Sequence, residues 1–402
     1  METGISVERA IELIHTNTKP VETEQIPAIR AHGRVLAADV CSPMDQPPWP
    51  RSPLDGYALR AEDTENVPVK LRVADTLYAG GWSEKTIGPG ECVRLMTGAP
   101  IPAGCDCVIR QEDTDRGEAE VLISQTLQPY ENYCFAGEDF KRWDVLLPAG
   151  TRLCGNAMGV LAAAGLLREN EMLTVFKAVR VAVLCTGDEL VPNTVRPLPP
   201  GKIYSSNEAV LASRLQELGM ELTTVRGEFS DDPNELAAAI REAMSTSDAV
   251  ITTGGVSVGV KDILHETLPL LEAERIFWRV QLKPGTPLMF SLFEGKPLLS
   301  LSGNPFAASA TFELFARPML EKLAGCNDLG MQIMEAALEE PPEKFGKCRR
   351  FVRAVLCAGR VTLPKGHSSG QLASAVGTNC LAELPPSDAP LPAGSPVRVW
   401  IL

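Results

Sequence analysis

Between residues 178 and 326 short apolar runs alternate with helix-period segments, and this pattern restricts the fold more than any other feature of the chain. "AVRVAVLCTGDEL" is a buried strand ending in a turn. "SSNEAVLASRLQELG" sets Leu211, Leu215 and Leu218 on one helical face, with Gly219 just past the end. "MELTTVRGEF" is extended. "DDPNELAAAIREAM" begins with Asp232 as N-cap, Pro233 in the first position and Glu235 at the third, and "DAVITTGG" is extended again. Strands joined by helices of this length predict a doubly wound, mostly parallel α/β sheet covered on both faces. The helix around "PFAASATFELFARPMLEKLAG" closes the unit.

The flanking sequence reads differently, and 402 residues exceed what one ordinary core accommodates. "SVERAIELIHT" is a helix capped by Ser6, after which "SPMDQPPWPRSPLDGYALR" breaks regular structure. From about 67 to 125, "VKLRVADTLYAGG", "GECVRLMTGAP", "CDCVIRQED" and "AEVLIS" are short extended runs between Gly and Pro, the pattern of a small β-rich domain. "CGNAMGVLAAAGL" turns helical near 150. Beyond the α/β unit, "CRRFVRAVLCAG", "RVTLPKG" and "SPVRVWIL" predict a C-terminal β domain.

In open α/β sheets ligands sit at the carboxyl ends of the strands. "TTGGVSVGVKD", residues 252–262, lies at such an end. Its glycines 254, 255 and 259 permit close backbone approach, so consecutive N–H groups can converge on an anion, with Ser257 adding a hydroxyl. A tight packing turn is the plainer reading of the same glycines, and Asp262 reads equally as a first-turn carboxylate facing the helix dipole. Two further strand ends match it: "CTGDEL" with Asp188 and Glu189, and "LSGNPF" with Gly303, Asn304 and Pro305. Together they predict a cleft of glycine backbone and carboxylates. Carboxylates beside an anion-binding nest imply a bridging cation, Mg²⁺ by its preference for oxygen ligands, with Glu189 and Asp262 as its holders. "LKPGTP" adds Lys283 as a positive contact.

The charge balance narrows the partners. A net charge of −13 argues against nucleic acid and anionic membranes. No window approaches ~18 uninterrupted apolar residues, so no membrane span is predicted. "METGISVERAIELIH" has no basic region before an apolar stretch, which makes the cytoplasm the expected compartment. The eleven cysteines lack zinc-type spacing, and the four histidines are scattered.

In order, "SPLDGYALR", "RLMTGAPIPAGCDCVIRQED", "AGEDF", "CTGDEL", "SSNEAVL", "TTGGVSVGVKD", "LKPGTP" and "SGNPFAA" resemble the motifs of the molybdopterin molybdenumtransferase family, which includes the E domain of gephyrin. The resemblance spans nearly the whole chain. It implies a multidomain subunit: an elongated N-terminal domain (1–43 and 141–177), a β-rich inserted domain (44–140), the α/β molybdopterin-binding domain (178–326) and a C-terminal β domain (327–402). It implies a homodimer that binds adenylylated molybdopterin, inserts molybdate at the dithiolene with a divalent cation assisting, and releases AMP. Carried over by motif, the site comprises Asp55, Thr97, Asp139, Glu189, Asp231, Asp262, Lys283, Pro305 and Ser374. Asp231 and Asp55 also have ordinary readings, in helix capping and in a D-G turn. The chain departs from the family pattern at Ser302, where proline is usual, and at Thr286 and Arg279, where lysines are frequent. These changes leave molybdate or tungstate open as the oxyanion. Two alternatives share the α/β domain: a molybdopterin adenylyltransferase, itself a candidate partner, and a non-catalytic molybdopterin carrier. The two extra β domains argue against the former and the clustered acids Asp55, Glu189 and Asp262 against the latter.

Overall fold

The computed structural model describes residues 1–229, 231–256, 263–342, 345–366 and 368–402. At its centre is a seven-stranded sheet. Arg180–Thr186 pairs in parallel with Glu221–Phe229 on one side and Ala249–Thr253 on the other, and Ala249–Thr253 pairs in parallel with Lys296–Leu301. Met289–Phe293 alone runs antiparallel to its neighbours, Lys296–Leu301 and Glu274–Val280. The far edge is Glu2–Ile5, a strand from the chain's start that sequence periodicity did not indicate.

Successive side chains of a strand point to opposite faces, and both faces here are covered. Val181, Val183, Cys185, Ile251 and Leu299 pack into one core, beneath helices Val7–Asn17, Ser206–Glu217 and Arg317–Ala324. Ala182, Leu184, Val250 and Leu298 pack into the other, beneath Pro233–Thr246 and Ile263–Leu270. The predicted caps form: the Asp232 carboxylate accepts from Asn234 N–H at 2.9 Å, and Gly219 takes φ +79° after Ser206–Glu217. The helix predicted after residue 305 is interrupted. Pro305–Thr311 and Arg317–Ala324 are joined by one π turn, Phe312–Ala316, as expected where Pro318 lacks the N–H that would continue the α ladder.

The 44–140 segment carries a five-stranded sheet. Its interior strand Gly56–Leu59, between Cys107–Arg110 and Glu91–Leu95, lies inside the proline-rich passage expected to be irregular, so that expectation is corrected. All four residues are buried, and a Cβ on Gly56 would stand 1.9 Å from the Ile109 carbonyl oxygen. Short antiparallel pairs, Thr23–Pro27 with Met172–Phe176 and Val40–Cys41 with Val145–Leu147, share a core with helix Gly155–Ala163. The C-terminal strands close a five-stranded barrel. It includes Ile333–Leu338 and Cys380–Leu384, which the sequence reading missed.

The π turn buries Glu313, whose carboxylate pairs with Arg214 Nε at 2.7 Å and Arg317 Nη1 at 3.2 Å. These pairs tie Ser206–Glu217 to the helix that starts at the cleft. Removing one partner of a buried ion pair typically costs about 3–5 kcal/mol. Glu313→Ala is therefore expected to lower the unfolding free energy extrapolated from urea titration by about 3–5 kcal/mol, with a lower midpoint, followed by far-UV dichroism. A wild-type midpoint would show the pairs to be energetically idle.

Candidate active site

Helix Ser206–Glu217 follows Arg180–Thr186 and leads to Glu221–Phe229 at one flank of the sheet. Pro233–Thr246 then returns the chain past Arg180–Thr186 to Ala249–Thr253. The connections thus diverge between Arg180–Thr186 and Ala249–Thr253, the kind of switch point where α/β sheets bind ligands. A cavity of about 510 Å³ opens there, at the carboxyl ends of three parallel strands. Its wall includes Gly187 and Glu189 from the first strand end, Gly254 and Gly255 from the second, and Ser302, Gly303, Asn304 and Pro305 from the third.

The strand ends come together because glycine lets them. Gly254 has φ +93°, and a Cβ there would lie 2.4 Å from the Thr186 carbonyl oxygen. Its N–H donates to Leu301 O at 3.1 Å, and a Cβ on Gly303 would stand 3.4 Å from Gly254 Cα. Gly255, at φ +61°, would bring a Cβ to 2.7 Å from Ile263 Cγ1. Backbone of this kind presents N–H groups at close range without side chains in the way.

Two helix N-termini add positive potential, because Ser205, Ser206 and Asn207 line the cavity at one and Asn304 and Pro305 at the other. Asn207 is the residue that sequence reasoning passed over. It is buried, and its Nδ2 donates to Gly303 O at 2.9 Å and Thr253 Oγ1 at 3.3 Å, locking a helix start to two strand ends. Its place in "SSNEAVL" was the available signal. The Ser302 departure has a local account: its hydroxyl accepts from Asn304 N–H at 3.4 Å, restraining a turn that proline would otherwise stiffen. Thr286 also lines the cavity, with its hydroxyl donated to Leu282 O at 2.5 Å. Arg279 stands on an adjoining cavity instead.

A second unassigned residue supports the floor. Arg353 is 1% exposed and lies over the Phe306 ring, 4.0 Å from its centroid. It donates to the carbonyls of Ser368 (2.7 Å) and Gln371. Phe306 N–H in turn donates to Ser369 O at 3.1 Å, and Ser369 lines the cavity. A loop of the C-terminal barrel thereby closes one side of a cleft built on the central sheet.

Of the sequence-derived residues, the cavity brings together Glu189, Asp231, Gly254, Gly255, Gly303, Asn304 and Pro305. Ser257, Gly259 and Asp262 lie outside the described residues. Lys283 is not on the wall. Its exposed side chain leaves a backbone that bridges to the barrel, N–H to Arg349 O at 2.9 Å and O from Phe351 N–H at 2.8 Å. Ser374 is off the wall too, its hydroxyl donated to Gly366 O at 2.8 Å. Asp55 and Thr97 pair within the 44–140 segment: Asp55 Oδ1 accepts from the Thr97 N–H and from its hydroxyl, both at 2.7 Å. The backbone N–H first, and then the hydroxyl, hold the Asp55 carboxyl below the usual carboxylate range. Asp139 is exposed in the same segment, its N–H donated to Gln46 O at 2.9 Å.

The wall carries two carboxylates and, among the described residues, no lysine, arginine, histidine or cysteine. Nor do the described residues contain a cluster of three or more His, Cys, Asp or Glu that could hold a metal ion. Glu189 and Asp231 are the carboxylate oxygens that this wall could offer a cation.

Comparison with known proteins agrees along the whole chain. Residues 5–165 match the MoeA N-terminal region (domain I and II), 182–322 a probable molybdopterin binding domain, and 336–402 the MoeA C-terminal region (domain IV). A molybdopterin molybdenumtransferase from Staphylococcus epidermidis is 33% identical over 405 residues, covering 99% of this chain and 95% of its own. One from Staphylococcus aureus is 34% identical over 404 residues, covering 98% and 95%. Among solved structures, the molybdopterin biosynthesis moeA protein from Pyrococcus horikoshii OT3 superposes with a TM-score of 0.85 at 26% identity, covering 99% of this chain and 100% of that one. With three glycine-bearing strand ends in one cleft and relatives matched from end to end, the chain belongs to the molybdopterin molybdenumtransferase family.

Proposed function

We propose that this chain inserts molybdenum into molybdopterin, taking adenylylated molybdopterin and molybdate and releasing AMP. The observation that carries the reading is the cleft, in which glycine backbone and two helix N-termini face an acidic wall in a chain of this family. Amides at 255 and 303 hold oxyanions of the substrate, the Gly254 N–H being taken by Leu301 O, and the helix ends add positive potential. Glu189 and Asp231 would repel the same anion unless a cation stood between them. Mg²⁺ suits oxygen donors such as Glu189 and Asp231; the sequence names Glu189 and Asp262 as its holders, Asp262 lying outside the described residues, and when bound the ion would neutralise charge on the phosphate ester. The adenylylated substrate must come from an adenylyl-transfer reaction, which makes a molybdopterin adenylyltransferase the expected partner. The cytoplasm is the compartment we assign. No helix among the described residues is long and apolar enough to cross a membrane.

Asp55 and Thr97 are held as a pair, yet they do not line the cleft of their own chain. A symmetric homodimer in which the 44–140 domain of one copy closes the cleft of the other accounts for both facts. Light scattering at micromolar protein is expected to give twice the chain mass, and a monomer mass would remove this arrangement.

The decisive assay mixes purified protein, adenylylated molybdopterin, Mg²⁺ and molybdate, and follows AMP release and molybdenum incorporation. Asp55→Ala is expected to bind molybdopterin normally but release AMP about a hundredfold more slowly, the usual scale for losing one preorganised electrostatic group. Release at the parent rate would move the carrier reading ahead. Gly254→Ala is expected to lose substrate binding itself, because its Cβ would meet Thr186 O and the positive φ disfavours any side chain. Isothermal titration of both variants separates the two outcomes.

The pH profile follows from the Asp55–Thr97 pair. A depressed carboxyl pKa keeps Asp55 ionised, and activity that needs the carboxylate falls only as pH drops through that low value. Thr97→Val removes the hydroxyl donor and keeps the backbone donor, so the Asp55 pKa rises part of the way. The acidic limb of the rate profile should then move towards neutral pH. An unmoved limb would mean that Asp55 is not the group that limits activity in acid.

A further inference from the structure

The substrate of the proposed reaction contains two planar heterocycles, a pterin and an adenine. Among the described residues the cleft wall supplies one aromatic ring, Tyr204, whose hydroxyl is donated to Val195 O at 2.8 Å and whose ring lies beneath Arg196, 5.8 Å from its centroid. Ring surface is scarce there. It is abundant on the rim that carries Asp55 and Thr97. Trp82 is 64% exposed, Tyr78 65% and Trp49 43%, and the two indoles meet edge to face with centroids 5.8 Å apart.

Backbone hydrogen bonds place these rings beside the Asp55–Thr97 pair. Met96 N–H donates to Leu77 O at 3.0 Å, Gly98 N–H to Ser52 O at 2.8 Å, and Ser52 N–H to Ala99 O at 2.9 Å. The stretches 49–55, 77–82 and 96–99 therefore form one edge. Exposed indoles forgo the burial that usually takes such rings inside, and Trp and Tyr are enriched where a partner covers the apolar face and leaves the polar edge wet. Three rings are small beside the roughly 800 Å² per partner of a stable protein interface, but they match one heterocycle. An edge-to-face pair leaves ring faces free for stacking.

We propose that Trp82, backed by Trp49, stacks the adenine ring of the adenylate half of the substrate, on the same rim that brings Asp55 to the cleft of a second copy. The inference rests on the molybdenum-insertion reading and gives Trp82 a role in specificity. The cleft holds the phosphate, and the indole reads the base. Stacking of a base on an aromatic side chain is lost with about a fivefold to hundredfold fall in affinity when the ring is removed.

The test titrates full-length protein calorimetrically with AMP and with ribose 5-phosphate, each in the presence of Mg²⁺. Wild type is expected to bind AMP about tenfold or more tightly than the baseless sugar phosphate. Trp82→Leu should abolish that preference by weakening AMP alone, Trp82→Phe should restore most of it, and the molar mass should stay unchanged. Four results would overturn the proposal: equal AMP affinity in Trp82→Leu, a parallel loss for both probes, wild type that binds neither, or a variant that dissociates into monomers. The last would make the patch a contact between copies. A wild type that prefers AMP but fails to insert molybdenum would sink the proposed reaction and leave the stacking site standing.

Discussion

The cleft depends on a lack of room at Gly254. Three parallel strands end beside one another, and the middle one can turn away only because residue 254 carries no side chain. Thr186 O stands where a Cβ would be, and Leu301 O accepts the residue's N–H. A side chain there would push the three strand ends apart. Asn207 adds the lateral restraint by bonding to both Gly303 O and Thr253 Oγ1. The site is therefore set mostly by backbone, and a backbone site is as rigid as the sheet beneath it.

Charge explains why it is built this way. The chain carries a net charge of −13, and the wall itself adds Glu189 and Asp231. Long-range attraction does not draw an anionic substrate to such a surface. Short-range devices must do so: amides, helix N-termini and the cation we assign to the acids. Arginines are used elsewhere as structural clamps. Arg214 and Arg317 hold Glu313 in the π turn, and Arg353 is buried over Phe306, where it fixes carbonyls of the barrel loop. Both arrangements act on the helix that begins at Pro305, so its N-terminus is held from behind and from the side.

Much of the site was legible in the sequence for one reason. A strand followed by glycine and polar residues is local, and "CTGDEL", "TTGG" and "SGNP" each state it within a few positions. The Asp232 cap and Gly219 are local in the same way. Gly56–Leu59 was not legible, because its four residues are surrounded by prolines and become a strand only by pairing with Glu91–Leu95 and Cys107–Arg110. Glu2–Ile5 was missed likewise: a four-residue run signals nothing until Glu274–Val280 lies beside it.

Sequence alone determined the alternation that makes a parallel sheet, the glycines at its strand ends and the motif order that marks the family, since all three are written in neighbouring residues. Tertiary structure decided which of the named residues share a cleft. Lys283 lends its backbone to the barrel, Asp55 and Thr97 do not line the cavity of their own chain, and Arg353 and Ser369 come from more than forty positions beyond Pro305 to shape it. Distances of this kind are set by how domains pack, and packing joins residues through space without leaving a periodic trace in the order of amino acids.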